Sequence, residues 1–200
     1  MTRLPRKSVH APPAAGQVRI IGGHWRNTRL PVVAAAGLRP TSDRVRETLF
    51  NWLLPVLPGA CVLDAFAGTG ALGLEAVSRG AASAVLVERD RALSEGLREL
   101  VSRLGATDRV QVVQADVLTW LGTQPGAGFD IAFVDPPFAD GVWERALPAI
   151  DRVLSPHAWL YVESPVDRGV ALPGWHVHRE GATRDVRYAL LRRSPGAIGQ

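Results

Sequence analysis

Cysteine is almost missing from this chain of 200 residues: Cys61 stands alone. No internal disulfide can form, and a reducing, cytoplasmic compartment fits. Lysine is as scarce, since Lys7 is the only one among 23 basic residues. Arginine therefore carries the positive charge, and its planar fork matches phosphate oxygens. No stretch approaches the roughly 18 apolar residues of a membrane span. The first sixteen residues hold Arg3, Arg6 and Lys7 among Ala and Pro. They lack the apolar centre of a secretory signal and read as a disordered basic arm. His10, His24, His157, His176 and His178 are scattered, without the carboxylate or thiol company of a metal site, so no metal is expected. A lone thiol inside an apolar run also argues against cytosine C5 chemistry, which needs a thiolate nucleophile.

What is present is enough apolar residue, 46% of the chain, for one domain with a small extension. The formal charge of +4 is unevenly spread: residues 1–60 hold nine basic residues against Asp43 and Glu47, so they carry +7 and the remainder −3. The positive end is either a phosphate-binding surface or a solvated basic face. Val18–Ile21 and Arg29–Val32, separated by Gly22-Gly23, predict a β-hairpin. Thr41, Ser42 and Asp43 can each cap a helix carrying Val45, Leu49, Trp52 and Leu53 on one face. Pro55, Pro58 and Gly59 close that helix.

From Ala60 strands alternate with helices, the pattern of a parallel sheet. Strands are expected at 61–64, 84–88, 110–113, 129–134 and 158–162, with helices at 71–79, 90–104, 117–121 and 142–154. A closing antiparallel pair is expected at 175–179 and 186–191. The division expected is a basic arm at 1–16, a hairpin-and-helix extension at 17–58, the main domain at 59–193 and a tail at 194–200.

The stretch Phe129-Asp130-Ile131-Ala132-Phe133-Val134-Asp135-Pro136-Pro137-Phe138 is central. Its apolar part reads as a buried strand, which two prolines then stop in rigid, extended backbone. A carboxylate, a carbonyl and a ring gather at a strand's carboxyl end, where open α/β sheets bind ligands. Asp135 and the Pro136 carbonyl can each accept one hydrogen of an exocyclic amine, with Phe138 stacked on the base. Upstream, Asp64-Ala65-Phe66-Ala67-Gly68-Thr69-Gly70 joins the first strand to its helix. Gly68, Gly70 and Gly73 match the dinucleotide fingerprint only loosely. Glu88 ends the second strand, placed to hold ribose hydroxyls, and Asp116 follows the third, placed to accept from an adenine amine.

These strand-end acids with Asp135-Pro136-Pro137-Phe138 resemble a class I S-adenosylmethionine-dependent methyltransferase, a Rossmann-like doubly wound sheet with an antiparallel C-terminal strand. The blocks Arg19-Ile20-Ile21-Gly22-Gly23-x-Trp25-Arg26 and Gly37-Leu38-Arg39-Pro40-Thr41-x-Asp43-Arg44-Val45-Arg46-Glu47-Thr48-Leu49-Phe50-Asn51-Trp52-Leu53 are similar to the RsmD family. That resemblance spans residues 17–193 and implies methylation of the N2 amine of guanine 966 in 16S ribosomal RNA of the small subunit; a monomer is the default expectation. It implies catalysis by Asp135, Pro136 and Phe138. Cofactor contacts are expected from Asp64, Phe66, Gly68, Gly70, Glu88, Arg89, Asp116, Val117 and Thr41. RNA contacts are expected from Arg19, Trp25, Arg26, Arg29, Arg39 and Arg46, although Trp25 could equally pack on the hairpin. Two rival readings stay open: an adenine-N6 methyltransferase acting on DNA or RNA, and a non-catalytic RNA-binding module that retains the Rossmann shell.

Overall fold

Strand-forming and helix-forming patterns alternate in the chain because each helix has a sheet face to cover. A computed structural model describes residues 18–30, 41–136 and 142–194, with only the backbone of Trp143. Helix α1 (Asp43–Leu53) precedes β1 (Cys61–Asp64), α2 (Ala71–Ser78), β2 (Ser83–Glu88), α3 (Arg91–Arg103) and β3 (Val110–Gln114). Then come α4 (Val117–Gly122), β4 (Phe129–Val134), α5 (Val142–Asp151), β5 (Leu154–Pro165), β6 (Trp175–Ala182) and β7 (Val186–Arg193). The seven strands run in the order β3-β2-β1-β4-β5-β7-β6. β1 to β5 pair in parallel, and β7 runs antiparallel to both neighbours.

Side chains alternate across the sheet, so each face has its own core. Val62, Ile131, Phe133, Tyr161 and Leu190 point toward α1, α2 and α3. Leu63, Ala132, Val134, Leu160 and Ala189 point toward α4 and α5. All eight residues of α2 are buried, as a helix apolar nearly all round requires. α1 joins the first core through Leu49, Phe50 and Leu53, and Val18, Ile20 and Leu30 share it. Extension and sheet thus have one continuous core. Edge-on contacts run from Phe50 to Phe133 to Tyr161, with centroids 6.0 and 6.2 Å apart.

Three segments depart from the predicted pattern. Among the described residues the hairpin shows one antiparallel bridge, Arg19 to Arg29, with Ile20 N donating to the Thr28 carbonyl and Leu30 N to the Val18 carbonyl. Its turn docks on the end of α2: His24 N donates to the Ser78 carbonyl (2.7 Å) and Trp25 N to Ser78 Oγ (2.8 Å). Gly23 has φ +78°, and a Cβ there would overlap the Ser78 carbonyl, so only glycine permits this approach. Secondly, α5 ends at Asp151 rather than near 154, because the Val153 carbonyl accepts from Gly128 and Phe129. Thirdly, β5 runs for 12 residues, with an irregular register opposite Phe129–Ile131. Pro156 falls in that stretch and has no N–H to donate. The arm at 1–16, Arg39, Pro137, Phe138 and residues 195–200 lie outside the described residues.

Candidate active site

The sheet progresses outward in opposite directions from β1 and β4, so their carboxyl ends border the crevice of a topological switch point. The register Asp64↔Phe133 and Val134↔Val162 sets the ends of β1, β4 and β5 side by side. Asp64, Asp135 and Glu163 therefore converge. Asp64 is 3% exposed and Glu163 5%, whereas Asp135 is half-buried. None of the three pairs with a cation among the described residues.

Asp64 Oδ2 accepts from Gly73 N at 2.9 Å, so it fastens the first turn of α2. Burial raises its pKa to about 7, and the charge of Glu88 adds to this, against the opposing Gly73 and Phe66 N–H groups. Asp135 Oδ2 lies 3.1 Å from Thr41 Oγ1, and the same hydroxyl lies 2.9 Å from Glu163 Oε1. Tyr161, fully buried, donates to Glu163 Oε1 at 2.7 Å. Burial, then the neighbouring Glu163 charge, push Asp135 well above the usual carboxylate range. Glu163 is also raised by burial, restrained by hydrogen bonds from Tyr161, Thr41 and Asp135.

The loop from β1 to α2 shows the features of a ligand cradle. Gly68 has φ +52° and Gly70 φ +75°. Gly70 caps α2 without a side-chain hydrogen bond, so N–H groups of the first turn remain available to a ligand. Glu88 Oε2 accepts from Gly68 N (2.8 Å) and Oε1 from Asp90 N (2.7 Å). It anchors the loop and retains lone pairs for hydroxyls. Phe66 is half-buried against the second core and Arg89 is exposed. Asp116 caps α4, accepting from Thr119 N at 3.0 Å. Val117 is 5% exposed in the core and can offer only its backbone at the rim.

Two expected roles, those of Arg46 and Trp25, need correction. Thr41, expected at the cofactor, bridges Asp135 and Glu163 at the edge of the same site. Arg46, expected on RNA, is fully buried: it donates to the Arg19 carbonyl (2.9 Å) and pairs with Asp43 (2.6 Å) and Glu75 (3.3 Å). Trp25 is 7% exposed beneath the Arg109 guanidinium, 5.4 Å from the ring centre, so it packs rather than stacks on a base. Arg26 and Arg29 are exposed, and Arg19 is 59% exposed, 3.8 Å from Asp43. Tyr161 and Glu163 went unnoticed in the sequence. Their signal was legible as a fifth acid near a strand end, two residues from a tyrosine on the same face.

Replacing Glu88 by alanine removes both the Gly68 anchor and the hydroxyl acceptor. Two charge-assisted hydrogen bonds are worth about 1.5–3 kcal/mol each. Cofactor affinity is expected to fall by about 10²-fold or more, measured by calorimetry on the folded variant. Unchanged affinity would remove Glu88 from the site.

The strand order and the acids at the switch point define a class I methyltransferase fold. Residues 18–192 match the family described as conserved hypothetical protein 95, and the chain belongs to it. It is 48% identical over 183 residues to ribosomal RNA small subunit methyltransferase D of Escherichia coli, covering 90% of this chain and 91% of that protein. The corresponding protein of Haemophilus influenzae is 39% identical over 191 residues, covering 93% and 99%. The solved structure of yhhF from Escherichia coli superposes with a TM-score of 0.80 at 48% identity, over 90% of this chain and 99% of that one.

Proposed function

We propose that the chain transfers a methyl group from S-adenosylmethionine to the exocyclic N2 amine of a guanine in 16S ribosomal RNA, at position 966 by resemblance. The observation that carries this reading is Asp135 at the end of β4, beside the glycine loop of β1 and α2. The names of the 48% and 39% identical relatives support the class of substrate. A small ribosomal subunit in the cytoplasm is the proposed partner, met by a monomer.

The cofactor fits the donor set. Three buried or half-buried carboxyls without a described cationic partner favour a ligand that brings positive charge. Asp64 and the α2 turn would hold its amino-acid end, Glu88 its ribose, and Asp116 with Val117 its adenine. Phe66, Gly68, Gly70 and Arg89 would line the groove. When bound, the group supplies an electrophilic methyl on sulfonium sulfur. Asp135 and the Pro136 carbonyl accept the two amine hydrogens and aim the nitrogen lone pair along the transfer direction. Positioning in a dry site supplies most of the rate. A base inside a stacked duplex must first turn out to reach it, and Phe138 is proposed as its stacking partner.

We assign residues 17–58 to recognition and 59–193 to catalysis, with 1–16 as a basic arm. Arg19, Arg26 and Arg29, together with Arg39, are the phosphate contacts of this reading. α2, eight residues long, separates the docked turn from the glycine loop by about 12 Å. Reversing Arg26 and Arg29 to Glu is expected to weaken binding to small subunits, more at low salt than at high. The salt slope should shrink by about 0.7–0.9 per lost phosphate contact. Unchanged affinity and slope in a salt-titrated binding assay would move recognition off this turn. Identification of the methylated nucleoside tests the base itself: N2-methylguanosine is expected, and N6-methyladenosine would favour the adenine reading.

A further inference from the structure

Four oxygens, from Asp135, Thr41, Glu163 and Tyr161, make a chain of three contacts of 3.1, 2.9 and 2.7 Å. Each contact of this kind needs one hydrogen between its oxygens. A hydroxyl carries a single hydrogen and an ionised carboxylate none. Thr41 and Tyr161 therefore supply two hydrogens for three contacts. The third must sit on a carboxyl. Resting on the reading of Asp135 as the amine's acceptor, we propose that Glu163 is a positioning residue that holds one proton in common with Asp135 through the Thr41 hydroxyl, leaving Asp135 free to accept when the amine docks.

Groups around the pair favour such sharing. Asp64 approaches from β1, Glu163 and Tyr161 from β5, and Tyr188 from β7, while Thr41 immediately precedes the Ser42 cap of α1. None of these is a cation. Two adjacent carboxyls in such surroundings resist double ionisation. Burial raises both carboxyls, and the proton that the three contacts require belongs to the pair. As the amine arrives, a proton resting on Asp135 passes to Thr41 Oγ1, and the Thr41 hydrogen moves to Glu163. Methylation forms the N–C bond, breaks the S–C bond with its electron pair left on sulfur, and releases one amine proton to the Asp135 carboxylate. The pair then holds two protons and returns one to solvent.

A carboxyl raised by folding contributes stability that is complete below the unfolded carboxylate range and lost as pH rises through the folded value. The test is thermal unfolding at pH 5 and pH 8 of the full chain, Glu163→Gln, Asp135→Asn and the double variant. Each single change is expected to raise the midpoint at pH 8 relative to the parent and to alter it little at pH 5. The double variant should gain less than the sum, because either change alone abolishes the shared repulsion. Asp64 keeps part of the pH dependence in every variant. Additive gains would overturn the proposal. In parallel, Glu163→Gln and Thr41→Val are expected to lower kcat by about 10²-fold with KM and cofactor affinity unchanged. Unchanged kcat in both would also overturn it. These readouts judge the pair on whichever amine the parent enzyme methylates, while product identification judges the guanine reading separately.

Discussion

Replacing Asp135 by alanine is expected to lower kcat by at least about 10²-fold, while S-adenosylmethionine affinity stays near that of the parent. Asp135 stands at the end of β4, past the glycine loop, and its recorded contact is with Thr41, not with a loop N–H. Removing it leaves the Gly68 and Gly73 anchors to Glu88 and Asp64 in place. Calorimetry and single-turnover methyl transfer separate the two effects. Asp135→Asn refines the result, because its amide oxygen can still orient one amine hydrogen but accepts no proton. Strongly reduced turnover in the asparagine variant is expected. Near-normal turnover would mean that orientation suffices.

The second large effect concerns stability. Arg46→Met is expected to destabilise the fold by about 3–5 kcal/mol, the usual cost of breaking a buried ion pair by removing one partner. Glu75 is fully buried and accepts from Ile21 N, Arg46 and Arg79. Without Arg46 it retains the Arg79 guanidinium and the Ile21 N–H, and the Asp43 and Arg19 contacts are lost as well. Arg46→Lys should not rescue, since a single ammonium cannot span acceptors held by a planar fork. For a chain of this size the unfolding midpoint should drop by about 10 °C. A change below about 1 kcal/mol would show that the network is dispensable. The consequence reaches function, because these bonds weld the hairpin and α1 onto α2, whose other end carries the glycine loop.

Most of the sheet was legible because a strand covered on both faces is a short apolar run, and each such run here ends in an acid or a turn. Asp64, Glu88 and Asp135 could be placed by that rule alone. Arg46 could not, since its partner Glu75 is 29 residues away and the arginine borders an apolar helical face without belonging to it. Trp25 read equally as a stacking or a packing ring until the turn was seen against Ser78. The arms of the hairpin pair through Ile20 N to the Thr28 carbonyl and Leu30 N to the Val18 carbonyl, while its turn bonds to Ser78 of α2, a contact that local pattern does not encode. Glu163 fell just past a strand whose end was set three residues early, so its approach to Asp135 emerged only from the β4–β5 register.

The central claim is that this chain methylates guanine N2 in small-subunit RNA through Asp135. The most direct measurement is mass mapping of modified nucleosides in 16S ribosomal RNA from cells with the chain, without it, and with only the Asp135→Ala form. One N2-methylguanosine is expected to disappear in the second and third cases and to return with the parent chain. An unchanged guanine map in its absence, or full modification by Asp135→Ala, would contradict the account.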